Sequence, residues 1–175
     1  MNLRLSSTIP VLAALASGCS PSFEADLPDV EITQHGVKMA GVPETTQVGD
    51  ASVTSSFTFS LSTWAKRMNS GVFVHQVTIA ASGGLADLDF IELARVTAAD
   101  PASSEGTIEI LNYDRSEDAP SSSSIEVTMA TPIDITSLWS ADQAIIELQL
   151  AGQLPEQDWT VDVTLKVSGK ITCEF

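Results

Sequence analysis

From Trp159 onward the chain reads WTVDVTLKVSGKITCEF. Its odd positions hold Trp159, Val161, Val163, Leu165, Val167, Gly169, Ile171, Cys173 and Phe175, and every even position is polar. Successive side chains of an extended chain point to opposite faces, so an unbroken period of two dictates a strand with one face buried and one in water. At roughly 3.3 Å per residue a straight strand of this length would reach about 55 Å. The pattern therefore predicts one strand bulged or bent at Gly169, or two strands meeting at Ser168-Gly169.

The same alternation returns along the chain. Phe57, Phe59 and Leu61 share a face in SFTFSLST, as do Phe73, His75, Val77 and Ile79 in VFVHQVTIA, and Ile108 and Ile110 in GTIEI. It appears again with Ile125, Val127 and Met129 in SIEVTMA and with Ile146, Leu148 and Leu150 in AIIELQLAG. In VEITQHGVKM the parity changes at Gly36, the mark of a bulge. LADLDFIELARV mixes helical and extended spacings and is read as a loop through Asp89 followed by a strand, because Val96 and Thr97 are β-branched. DITSLWSADQ is read as a short helical turn capped by Asp134. Short strands separated by Ser, Gly, Pro and Asp clusters imply an all-β chain. The expected architecture is an antiparallel β-sandwich of about seven to eight strands, with a β-barrel as the alternative.

The opening segment, MNLRLSSTIPVLAALASGC, has one cation at Arg4, an apolar run from Ile9 to Ala16, and the small residues Ser17 and Gly18 before Cys19. That is the layout of an export signal. A spanning helix needs about 20 apolar residues, and this run is much shorter, with Pro10 inside it. Its end, LASGC, resembles the lipobox of bacterial lipoproteins, although Ala16 stands where such motifs more often carry Leu. The resemblance implies diacylglycerol on the Cys19 thiol and removal of residues 1–18 as a signal peptide. Ser20 after the cysteine implies, on the same resemblance, the outer membrane of a Gram-negative envelope. Residues 19–28 then read as a flexible linker and residues 29–175 as one sandwich domain. Cleavage after ALA, Ala14 to Ala16, is the competing reading and would secrete a soluble protein beginning at Ser17. The succession DLDFIE, DITSLW and DWTVDVTLKV is similar to immunoglobulin-like sandwiches of bacterial lipoproteins, which implies that fold and no particular activity.

Charge narrows the partners. Against 23 Asp and Glu the chain has 8 Lys and Arg, and one of the latter, Arg4, is in the leader. Such a surface repels phosphate, and the adjacent pair Lys66-Arg67 is too small a cluster for nucleic acid. No nucleic-acid partner is expected. The chain has no G-x-S-x-G elbow, H-E-x-x-H, C-x-x-C or P-loop. His75, on the apolar parity of its strand, is expected as a neutral imidazole in or beside the core, and His35 as a surface residue. Asp87 and Asp89 lie on one side of ADLDF and are the candidate metal ligands, with Asn112 to Asp118 a second acidic loop. Calcium needs several oxygens at about 2.3–2.6 Å, so two solvated loop carboxylates are the competing reading and no cofactor is expected. For a contact surface the candidates are Trp64 and Tyr113, whereas Trp159 falls on the core face and Trp139 in its helical turn.

The expectation is a membrane-anchored, non-catalytic sandwich that binds a protein or another envelope component through loops or an edge strand. A calcium-dependent carbohydrate-binding module and an exported hydrolase are the alternatives.

Overall fold

The computed structural model describes residues 22–44, 51–60, 71–100, 106–115, 123–139 and 143–174. In it the alternating segments become β1 (Ser22–Met39), β2 (Ala51–Ser60), β3 (Val72–Ser82), β4 (Ile91–Ala99), β5 (Ile108–Asp114), β6 (Ser124–Asp134), β7 (Gln143–Gly152) and β8 (Trp159–Glu174). One helical turn, α1 (Thr136–Trp139), precedes β7. Asp134 starts it as expected: its Oδ1 accepts the Thr136 N–H at 2.8 Å and the Thr136 hydroxyl as well.

The strands pair first with last. β1 lies antiparallel to β8, β2 to β7, β3 to β6 and β4 to β5, so the chain is a long two-stranded ribbon with its far end at β4 and β5. Additional pairing of β3 with β8 and of β4 with β7 rolls that ribbon into two four-stranded sheets, β1-β8-β3-β6 and β2-β7-β4-β5. This is the jelly-roll form of the antiparallel sandwich, and neither sheet closes into a barrel. The sandwich and its strand number match the expectation. The finer immunoglobulin-like order does not, since that order groups the first, second, fourth and fifth strands in one sheet, whereas here β1 is parted from the other three. Period two says which face of a strand is buried and is blind to which strand lies beside it.

The inner faces of both sheets share one core. Val161, Val163, Leu165 and Val167 of β8 are buried together with Val77 and Ile79 of β3 and with Val96, Ile146, Leu148 and Leu150 of the other sheet. Each such side chain contributes about 1.5–3 kcal/mol by leaving water. Trp159 closes one end, edge-on to Phe90 with ring centroids 5.2 Å apart. At the end of β7, Gly152 has φ 142, and a Cβ there would stand 2.2 Å from the Phe90 carbonyl oxygen, so glycine permits the close approach of that loop.

Two expectations are corrected in this sheet. Residues 22–28, read as linker, belong to β1, where Ser22 lies across from Glu174 and Asp26 across from Lys170. Pro28 falls between Leu27 and Val30, at an irregularity of an edge strand, a place where a missing N–H is tolerated. Second, β8 runs through Gly169 as one strand, and the extra residues lie in its partners. β1 inserts one between Leu27 and Val30 and another between Gln34 and Val37, where Gly36 has φ 62, while β3 inserts His75 between Val74 and Gln76.

A one-residue insertion exchanges the faces of everything beyond it. Accordingly Val72 and Val74 are buried before the bulge and Val77 and Ile79 after it. Phe73 and His75 therefore point outward, away from the face they were expected to share with Val77 and Ile79. β5 does the same, burying Ile110 and Leu111 in succession.

Candidate functional site

Three irregularities meet at one level of the outer face of sheet β1-β8-β3-β6. The Pro28 bulge of β1 and the His75 bulge of β3 both lie opposite the Lys166 to Gly169 stretch of β8. At the same level β6 runs from Thr128, paired with Gln76, to Ile133, paired with Val74, so residues 129–132 bow away from β3. Bulges bend a strand and re-aim its side chains. Together they open a cleft of about 500 Å³, with Asp26 and Asp29 on the β1 side, Thr131 and Pro132 on the β6 side, and Phe73, His75, Ser168 and Lys170 between.

Two of its polar groups engage each other and a third engages a neighbour on β8. His75 Nε2 and Ser168 Oγ are hydrogen-bonded across β3 and β8. Asp29 Oδ2 lies 3.4 Å from Lys166 Nζ, and Asp26 is the register partner of Lys170. Two carboxylates and two ammonium groups thus balance locally in a chain whose formal net charge is −15. Besides Pro132, the apolar member is Phe73. Its ring lies over Gly71, where a Cβ would be 2.6 Å from ring carbons Cε2 and Cζ. The cleft therefore offers acceptors, donors, an amphoteric imidazole–hydroxyl pair and one aromatic ring, all on a sheet face that is otherwise polar.

The same face continues along β8 away from the cleft. Thr33 and Thr164 hydroxyls are 2.9 Å apart, and beyond them Asp162 Oδ1 accepts the Gly36 N–H at 2.8 Å while Oδ2 meets His35 Nδ1 at 2.7 Å. The Gly36 N–H foremost, then His35, holds the Asp162 carboxyl below its ordinary value of 3.8. A carboxyl lowered in the folded state adds stability above its unfolded value, and that increment is lost as the pH falls through the folded value. Asp162→Asn is accordingly expected to be less stable than the parent by a constant margin from pH 7 down to about 5, with the margin closing below about pH 4. Urea titrations of both proteins across this range measure it.

The residues singled out from sequence are dispersed. Tyr113 is buried in the core from β5 and is no part of a contact surface, because the bulge in β5 turned it inward. Asp89 accepts from Arg115 Nη2 at 3.3 Å, and its N–H reaches Asp87 Oδ1 at 3.2 Å. Among the described residues no group of three His, Cys, Asp or Glu is placed to hold a metal ion. His35 is exposed, as expected. Cys19, Trp64 and the Lys66-Arg67 pair lie outside the described residues. Sequence reasoning missed Phe73, Ser168, Lys170, Asp26 and Asp29 as cleft residues, and the one signal for them was His75, a polar side chain interrupting an apolar alternation.

Fold and site together define a jelly-roll sandwich with a charge-balanced cleft on one outer face. No family model matches the chain, and no curated protein matches it in sequence. Among solved structures it is similar to the decameric BFDV capsid protein, at 11% identity over 85% of this chain and 99% of that one, with a TM-score of 0.35. It is also similar to a structure described as a carbohydrate-binding module of the β-sandwich superfamily, at 11% identity, 87% and 57% coverage and a TM-score of 0.35. Infectious bursal disease virus, Gx strain, is a third, at 8% identity, 97% and 38% coverage and a TM-score of 0.31. Likeness at this level assigns no residue and no ligand.

Proposed function

We propose that this protein is a lipid-anchored, non-catalytic sandwich of the cell envelope that binds an envelope component in the cleft between Asp26 and Pro132. The carrying observation is Phe73, an aromatic side chain turned onto the polar outer face by the His75 bulge and lining the cleft beside a hydrogen-bonded His75–Ser168 pair. The LASGC leader supports the anchor. Support for a binding rather than a hydrolytic role comes from the backbone at Ser168, which stands in the middle of the extended strand β8. A nucleophilic serine is more often raised out of its sheet on a sharp strand-to-helix turn. A calcium-dependent variant of the reading has no comparable support, since Asp87 and Asp89 engage each other and Arg115.

Photo-crosslinking in cells tests the site. A benzophenone side chain at Thr131, on the cleft wall, is expected to capture envelope material, whereas one at Thr54, exposed on β2 of the opposite sheet, is expected to capture none. Equal capture at both positions, or none at either, would remove the cleft from the reading.

A further inference from the structure

We infer that the cleft takes an uncharged, polyhydroxylated chain, a segment of neutral glycan, with one sugar ring stacked on Phe73. This rests on the cleft being the binding site and adds the chemical class of its ligand. Three observations select that class. Charges of both signs stand at the cleft in equal number, Asp29 ion-paired with Lys166 and Asp26 across from Lys170 in the strand register, so neither a polycation nor a polyanion finds an excess of opposite charge, and the acidic chain as a whole repels polyanions. Hydroxyl groups donate and accept at the same atom, and so does the His75–Ser168 pair, while carboxylates only accept and ammonium groups only donate. A row of vicinal hydroxyls can satisfy all three kinds of partner. Phe73 and Pro132 then supply apolar surface for the C–H faces of a sugar ring, whose partial positive charge complements the negative face of an aromatic ring.

Size and shape agree. A volume of about 500 Å³ falls in the range of small-ligand sites, about 300–1,000 Å³. The cleft opens onto a sheet face carrying Thr33, Thr164 and Lys166, which extends the hydrogen-bonding surface for a ligand longer than the cleft. With a single ring to stack on, selectivity comes from the polar groups and the affinity is modest.

The full-length protein in detergent, applied to an array of neutral and acidic glycans, provides the test. Retention on neutral glycans is expected. Phe73→Ala should weaken it about tenfold or more, Phe73→Tyr should preserve it, and Thr131→Trp, which fills the cleft from its exposed wall, should abolish it. Melting temperatures of the three variants, measured in parallel, separate loss of the ring from loss of the fold, and Thr131→Trp carries the test should Phe73→Ala unfold. Retention only on acidic glycans, retention of none, or neutral binding untouched by Phe73→Ala and Thr131→Trp would overturn the inference. Capture of a protein or lipid at Thr131 in cells with no glycan retained would overturn the glycan class while leaving the cleft as the site. Absence of both would overturn the two together.

Discussion

Leu165→Ala is expected to lower the unfolding free energy by about 2–5 kcal/mol, and Lys166→Ala, one residue further on, by less than about 0.5 kcal/mol. Leu165 is buried in β8, in register with Ile32 of β1 on one side and Val77 of β3 on the other. Removing its isobutyl group leaves a cavity between three strands, and the sheet cannot collapse into it without disturbing two ladders. Lys166 faces outward, where its contact is the exposed ion pair with Asp29, and such pairs contribute little in water. Denaturant titration of the two variants measures the contrast. Similar losses, or the reverse order, would mean that the faces of β8 have been exchanged and would move Ser168 and Lys170 out of the cleft.

The faces of β8 were legible in the sequence because no bulge interrupts this strand. Its partners were not, for the same physical reason seen from the other side. An inserted residue in β1 or β3 leaves the residue types of the strand unchanged and alters only their phase. Gly36 announced one such insertion, since it adopts a positive φ that other residues resist. His75 announced another without being recognised, because a histidine on an apolar parity is equally well explained by a satisfied core imidazole. The bow of β6 at residues 129–132 contains Pro132, yet a proline also suits an ordinary edge strand. The cleft depends on the Pro28 bulge, the His75 bulge and the bow of β6 falling at one level of β8, and that coincidence is a property of the pairing β1-β8-β3-β6. Local alternation carries no information about that order, so the strands were readable and the site was not.

Pairing also explains why residues 22–28 read as linker and fold as strand. SFEADLPD is acidic and holds a proline, the composition of a solvated connector, but its backbone completes the edge of the sheet against the second half of β8, from Ser22 across from Glu174 to Leu27 across from Gly169. A charged edge strand with a proline also resists pairing with another chain. What reads locally as a spacer is, in the sheet, an edge with protection against aggregation built into it.

Cys19→Ala is expected to move the protein from the detergent phase to the aqueous phase, or to leave it unprocessed with its leader attached. On the proposed lipid-anchored reading the thiol is the acyl acceptor, and alanine offers none. Each buried methylene contributes about 0.8 kcal/mol of membrane affinity, so two or more acyl chains hold a protein almost permanently and their loss releases it. Because β1 begins at Ser22, three residues beyond Cys19, the lipid would connect to the sandwich through a span of at most about 11 Å, at roughly 3.3–3.6 Å per residue. The β1 and β8 end of the sheet would then be held close to the bilayer, with Asp26 and Lys170 on the membrane-proximal side of the cleft. Detergent phase separation, with mass spectrometry of the first peptide for acyl mass, reads the anchor directly. A melting temperature equal to that of the parent is expected for Cys19→Ala, since position 19 precedes the first strand. Wild-type protein that begins at Ser17 without lipid would end the anchored reading, and the cleft would then belong to a secreted sandwich free to meet its ligand away from the membrane.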